Sequence, residues 1–178
     1  MLKNTSSSYG LITRLFHWLI SIMIIALLIV GFTMISMETS ANKWELYSMH
    51  KATGVIVLSL VSLRFLWRLA NIQLDLPADL PSWQKLASRI THYLLYVFMF
   101  LMPISGVLMS ILGGHEVNVF NLFTIPASAE KNVDLARFFW NIHGISAFTF
   151  AGLIGLHISA GLYHHFIRKD NILSRMIK

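Results

Sequence analysis

Cysteine is absent from this chain, and its absence removes several kinds of site. Disulfides, iron–sulfur clusters and thiolate zinc sites all require cysteine. Covalent attachment of haem through a C-x-x-C-H motif requires it as well. Any redox chemistry in this chain must therefore be carried by other side chains or by a group bound without thiolates.

Charged residues are also scarce. They make up 12% of the 178 residues, against about 25% in an ordinary soluble domain. Hydrophobic residues make up 56%, and the mean hydropathy is +0.64. A chain of this composition is too apolar to be a water-soluble globule or a disordered segment.

Four stretches are apolar enough to form membrane-spanning helices, each of which needs about 20 residues. Their predicted bounds are 13–37, 48–70, 86–112 and 138–168. The sequence therefore predicts a single all-α domain over residues 1–178, an integral membrane four-helix bundle. The segment 113–137 between the last two spans is also rich in apolar residues, and we expect it to lie against the bundle or the membrane interface.

The basic residues give the chain a net charge of +6 and an isoelectric point near 9.8. They are few and stand at the ends of apolar runs, so the charge does not indicate nucleic-acid binding. With four spans, ten of the fourteen Lys and Arg residues share a side with both termini, and four lie on the other side. Because Lys and Arg accumulate on the cytoplasmic side, both termini are predicted to be cytoplasmic.

Acidic residues are missing from the interior of all four apolar stretches. Ion-driven transporters are expected to carry carboxylates within the membrane, and hydrolysis by paired carboxylates needs them too. Neither class of function is indicated. No nucleophile–base motif stands out either.

Histidines are the unusual feature of the apolar stretches. On the fourth span His143, Phe150, His157 and His164 recur every seven residues, which places them on one helix face. His143 and His157 are separated by about 21 Å at 1.5 Å per residue. Phe150 lies halfway between them, either between two bound groups or as simple core packing.

Two further histidines match these two depths. His17 begins the first span at the inner side, at the level of His157, and His50 begins the second at the outer side, at the level of His143. The four form two predicted cross-bundle pairs. Each histidine taken alone could instead be a core residue that bonds a neighbouring helix, but four at matched depths favour a shared task.

The residue four positions after each of these histidines is small, whereas the corresponding residues after the other histidines are larger. The small residues are Ser21, Gly54, Ala147 and Gly161. A flat macrocycle that stands edge-on to a helix needs such clearance. Small residues can also serve close helix packing, although that does not explain their place after these four histidines.

Two imidazoles from facing helices suit the two axial positions of a haem iron. Zinc is less suitable, because each pair would need further ligands that the spans do not offer. The sequence alone leaves open a third class, a haem-free carrier or membrane anchor.

Several segments of the chain resemble the bacterial cytochrome b561 family of four-helix di-haem membrane cytochromes. The matching segments are FHW from Phe16, MHKATG from Met49, HYLLY from His92, PISG from Pro103, HGI from His143, and GLH with HHFIRKDN between Gly155 and Asn171. They cover nearly the whole chain, and the HH and KDN ending is the most specific part.

The resemblance implies two haem b groups with axial ligands His17, His50, His143 and His157. It also implies a bacterial inner-membrane location. Members of the family include a superoxide oxidase that passes electrons from superoxide to ubiquinone, which predicts an oxidoreductase of that kind. The alternative is a cytochrome b subunit that passes electrons between a partner dehydrogenase or hydrogenase and the quinone pool.

Other residues are candidates for the quinone. The resemblance places His164 beside it, where its ring could give a proton or hydrogen bond to a quinone oxygen. An interfacial histidine that reaches the headgroups is the alternative. Trp18, next to His17, either lines the same pocket or belongs to the interfacial tryptophan belt.

Basic residues near the two pairs are candidates for haem propionates. Arg64 and Arg68 end the second span at the inner side, where they either bind propionates or anchor the helix as positive-inside residues. His92 begins the third span at the same level and is a candidate for a propionate or the quinone. Lys51 follows His50 and could serve the outer propionates or attract an anion.

Overall fold

A computed structural model describes residues 1–177 of the chain. Four helices in it are long and apolar enough to cross a membrane, by length and composition. Their bounds are Leu11–Ser36 (α1), Ala41–Leu69 (α2), Ser82–Leu112 (α3) and Val133–Tyr163 (α4). The predicted all-α membrane bundle is confirmed.

Helices α2 and α4 begin several residues before the predicted apolar stretches do, because a polar residue caps each first turn. Ser40 caps α2 by accepting a bond from the Lys43 N–H, and Asn132 caps α4 by accepting one from Leu135. Capping of this kind satisfies backbone donors that the first turn leaves free. Hydropathy detects the membrane-crossing part of a helix and misses such a polar start.

The four helices pack in sequence order, α1 on α2, α2 on α3 and α3 on α4. Their common core is a layer of side chains in the middle of the bundle, including Ile20, Val61 and Phe150, which are at most 3% exposed. The outward faces are lined with exposed large hydrophobic residues. Such a surface suits lipid and would be unstable in water.

The segment after α3 folds into a two-stranded antiparallel sheet that the sequence did not predict. Its strands are Val117–Val119 (β1) and Phe123–Ile125 (β2). The turn contains Phe120 and Asn121, both with positive φ. The inward residues of β1 pack on α2 and α3 and are at most 2% exposed, so the expected contact with the bundle exists.

Replacing Val117 with aspartate is expected to lower the melting temperature in detergent by about 10 °C. An unpaired buried charge costs several kcal/mol, and each kcal/mol is worth roughly 2–4 °C in a chain of this size. The matched control is Thr124→Asp, at an exposed position of β2. Equal melting temperatures for the two variants would show that the hairpin does not stabilise the bundle.

After α4 the helix widens into a π turn over His164–Arg168. Lys169 then adopts a left-handed conformation, and a short helix, α5, covers Ser174–Ile177. Several hydrogen bonds hold this tail to the inner end of the bundle, three of them from side chains to backbone carbonyls. These three run from Trp18 Nε1 to the Met176 carbonyl at 3.0 Å, from Arg175 to the Asp75 carbonyl at 3.0 Å, and from Arg14 to the Ile177 carbonyl at 3.2 Å.

Candidate functional site

The structure brings the four candidate histidines together as two pairs of facing rings. His17 of α1 faces His157 of α4 with ring centroids 6.3 Å apart. His50 of α2 faces His143 of α4, also at 6.3 Å. Helix α4 does not pack closely on α1 or on α2, which carry the two facing histidines. Space therefore remains between the two rings of each pair.

The ring spacing fits one metal atom between each pair. A metal–imidazole bond is about 2 Å long, and the ligating nitrogen lies roughly an ångström from its ring centre, so a shared metal puts the centroids about 6 Å apart. Among residues 1–177 no three His, Asp or Glu side chains gather to hold a metal ion by themselves. Two ligands are what a haem iron needs, because the porphyrin supplies the other four.

An apolar cavity of about 50 Å³ lies beside the outer pair. His50, Gly54, His143 and Phe150 line it, together with apolar side chains of α1 and α3. A Cβ atom added at Gly54 or at Gly161 would meet nothing within 4 Å. The two glycines that follow His50 and His157 therefore border open space rather than a tightly packed helix contact.

Within the outer pair, His143 is held in place by residues that the spacing argument did not single out. Nδ1 of His143 lies 3.0 Å from the Met102 carbonyl and 3.2 Å from the Ser105 hydroxyl. Gly106 lies so close to this ring that an added Cβ would be 3.1 Å from Cε1. A carbonyl only accepts hydrogen bonds, so Nδ1 carries the ring proton and Nε2 is free to bind a metal.

Basic residues surround the inner pair. The guanidinium of Arg64 lies 3.2 Å from Nδ1 of His17. Arg64 and Arg68 both lie over the ring of Tyr96, at 5.7 and 5.6 Å. The ring of His92 is 5.4 Å from that of His157, and its Nδ1 donates to the Ser88 carbonyl at 2.8 Å. The sequence-predicted propionate candidates Arg64 and His92 thus do lie beside the inner pair.

Lys51 and Trp18 have partners of a different kind. The Lys51 ammonium donates to the Glu116 carbonyl at 2.9 Å and to Ser110 at 3.3 Å, which ties α2 to the segment before β1. The Trp18 ring is 5.2 Å from the ring of His17, but its N–H is taken by the tail.

His164 forms a close pair with a residue that the sequence did not assign a role. Its Nδ1 lies 2.6 Å from a carboxylate oxygen of Asp170, and both side chains are about 15% exposed. Arg168 Nε donates to the same oxygen at 3.1 Å, and a second bond joins Arg168 to Asp79 of the inner loop. The only sequence signal was the KDN ending, whose aspartate comes within reach because the chain turns back at Lys169.

The surroundings of Asp170 favour its ionised form. Burial acts to raise the pKa of Asp170, but hydrogen bonds from His164 and the Ile172 N–H, with the charge of Arg168, outweigh it and lower the pKa. A lowered carboxyl pKa means that the pairing stabilises the fold above the ordinary pKa of an aspartate and is lost as the pH falls through the lowered one. At neutral pH the carboxylate is charged and orients His164.

Comparison with known proteins assigns the chain to a family. The model of the prokaryotic cytochrome b561 family matches residues 8–178. The chain belongs to the prokaryotic cytochrome b561 family. Cytochromes of this family bind haem b and transfer electrons within membranes, as the paired rings of this cytochrome suggest.

Curated relatives resemble this cytochrome along nearly its whole length. Cytochrome b561 homolog 2 of Escherichia coli (strain K12) is 32% identical over 98% of this chain and 93% of its own. Cytochrome b561 homolog 1 of the same organism is 27% identical over 90% of this chain and 92% of its own. Probable superoxide oxidase CybB of Yersinia pestis is 27% identical over 90% of both chains.

Proposed function

We propose that this cytochrome holds two haem b groups and carries electrons from superoxide at its outer face to ubiquinone in the membrane. The observation that supports it most is the pair of 6.3 Å ring separations, at two levels of one bundle. His17 with His157, and His50 with His143, are the proposed axial ligands. Haem b supplies one-electron storage when bound.

The placement of the quinone at the inner end rests on His164. Reduction of a quinone to a quinol takes two electrons and two protons, whereas superoxide gives up one electron to become dioxygen. Two superoxide ions are therefore used for each quinol. With Nδ1 bonded to Asp170, His164 presents Nε2, from which a protonated ring donates to a quinone oxygen.

The choice of superoxide as donor rests on the relative named as a probable superoxide oxidase. The outer end carries no second His–Asp pair in register with His143, since the position seven residues before it is Ala136. We place the small donor at the outer pair accordingly. The proposed location is the bacterial inner membrane, with both termini in the cytoplasm.

A direct test uses purified protein in ubiquinone-containing vesicles supplied with an enzymatic source of superoxide. We expect a reduced-minus-oxidised haem b spectrum, quinol formation, and one quinol for every two superoxide ions consumed. Quinol formation should stop when superoxide dismutase is added. Haem reduction without quinol would contradict the proposal, and so would co-purification of a dehydrogenase or hydrogenase that alone reduces the haems.

The clearance beside the ligands gives a prediction of its own. Gly54→Leu or Gly161→Leu is expected to cost the protein one haem b while it still inserts in the membrane, because the added side chain fills the space of the macrocycle. The matched control is Gly152→Leu, at an exposed position of α4. Full haem content in both test variants, measured as pyridine haemochrome per chain, would show that the open space serves another purpose.

A further inference from the structure

The two histidine pairs differ in what their ring nitrogens face. In the outer pair, Nδ1 of His143 is directed at two oxygen atoms, the Met102 carbonyl at 3.0 Å and the Ser105 hydroxyl at 3.2 Å. Ser105 is 1% exposed, so water does not compete for this contact. Its hydroxyl in turn donates to the Met102 carbonyl at 3.0 Å, which fixes all three groups.

In the inner pair, Nδ1 of His17 faces a cation instead. The guanidinium of Arg64 is 3.2 Å away and carries only donors. Once a metal binds Nε2 the ring proton must sit on Nδ1, so two donors would face each other. Arg64 then has to turn to another acceptor, such as a propionate, while its charge stays at this level of the bundle beside that of Arg68.

These surroundings act on an iron atom in opposite directions. An acceptor on the far nitrogen of a ligating imidazole makes the ring more basic and stabilises ferric iron, which lowers the reduction potential. A nearby positive charge disfavours the ferric state and raises the potential. At the outer site the two acceptors face His143, while Nδ1 of His50 has no hydrogen-bond partner among the described residues. The inner site has the two guanidinium groups.

This inference rests on the proposed function. We propose that Ser105 and the Met102 carbonyl position the ring of His143, and that these groups and Arg64 set which haem site has the lower reduction potential. The outer haem site is the lower-potential site and the inner one the higher. An electron that enters at the outer pair then moves downhill to the inner pair. Ser105 and Gly106 influence the potential of the outer site because they fix the orientation of the His143 ring.

The experiment is an optical redox titration of the purified protein and six variants. In the wild type we expect two waves, and His50→Ala should remove the lower one. Ser105→Ala should raise only the lower reduction potential. The rise should be up to about 59 mV, which is a tenfold change in the ferric-to-ferrous equilibrium of a one-electron couple. Arg64→Met should lower only the higher potential, and Arg64→Lys should restore it.

Ser62→Ala is the matched control, because the Ser62 hydroxyl also donates to a carbonyl of its own helix, that of Leu58, and not to a histidine. It should move neither potential. Gly106→Ala is a second test of the outer site, since the added Cβ pushes on the His143 ring and should also move the lower potential alone.

The results separate this inference from the proposed function. A lower wave that survives His50→Ala while the upper wave disappears would overturn the order of potentials. The same conclusion follows if Ser105→Ala and Arg64→Met leave both potentials unchanged. A single haem per chain by pyridine haemochrome would instead contradict the two-haem function.

Discussion

His50→Ala is expected to reduce the haem content from two haem b per chain to one. His50 is one of the two rings of the outer pair, 6.3 Å from His143, and the cavity beside it offers no other histidine. Loss of one axial ligand leaves a macrocycle held by a single imidazole and apolar contacts. The measurement is pyridine haemochrome per chain, with the absorption spectrum of the remaining haem.

The matched control for that change is His115→Ala. His115 also lies on the outer side, but it is exposed and outside the pairs. It should keep both haems. Two haems with an unchanged spectrum in His50→Ala would mean that His50 is not a ligand, whereas the corresponding change at His17 should affect the other haem.

His164→Ala is expected to slow quinone reduction by about 100-fold, because a positioned proton donor typically contributes 10²–10⁴-fold. Reduction of the haems by an outer-side donor should stay near the wild-type rate. Asp170→Asn should have a smaller effect, about tenfold, since it leaves the ring in place but weakens its orientation and charge. Stopped-flow spectra follow both steps.

His165→Ala is the control for this pair of variants. His165 is the next residue of the π turn, and its ring lies against Phe166, 4.8 Å away, rather than against Asp170. It should leave both rates unchanged. If the His164→Ala variant instead reduces quinone at the normal rate while its own haems are reduced slowly, the donor and quinone sites lie at the opposite ends from those proposed.

The paired histidines could be predicted from sequence because their spacing is local and regular. Seven residues make nearly two helical turns, so His143 and His157 share a face whatever the rest of the fold does. Their partners followed from the depth at which each span begins. Because each helix crosses the membrane, the position of a residue along its helix gives its depth, and matching depths indicate which histidines can pair.

The supporting residues could not be predicted, because their roles depend on how two helices or a turn meet. Ser105 looks like any serine in a span until α3 packs on α4. Asp170 is brought back to His164 only by the left-handed Lys169. Lys51 was predicted to serve outer haem propionates or attract an anion, yet its ammonium donates to the Glu116 carbonyl just before β1. The hairpin of β1 and β2 has strands of only three residues, too short for pattern analysis to detect.

The separation of the two pairs along α4 also has an electrical consequence. The 14 residues from His143 to His157 span about 21 Å, roughly two thirds of a 30 Å hydrocarbon core. An electron that moves inward over this distance works against a membrane voltage that is negative inside. At about 2.3 kcal/mol per charge per 100 mV across the whole membrane, the cost is about 1.6 kcal/mol per 100 mV. Electron transfer through this bundle would therefore be coupled to the voltage, running faster in de-energised membranes than in energised ones.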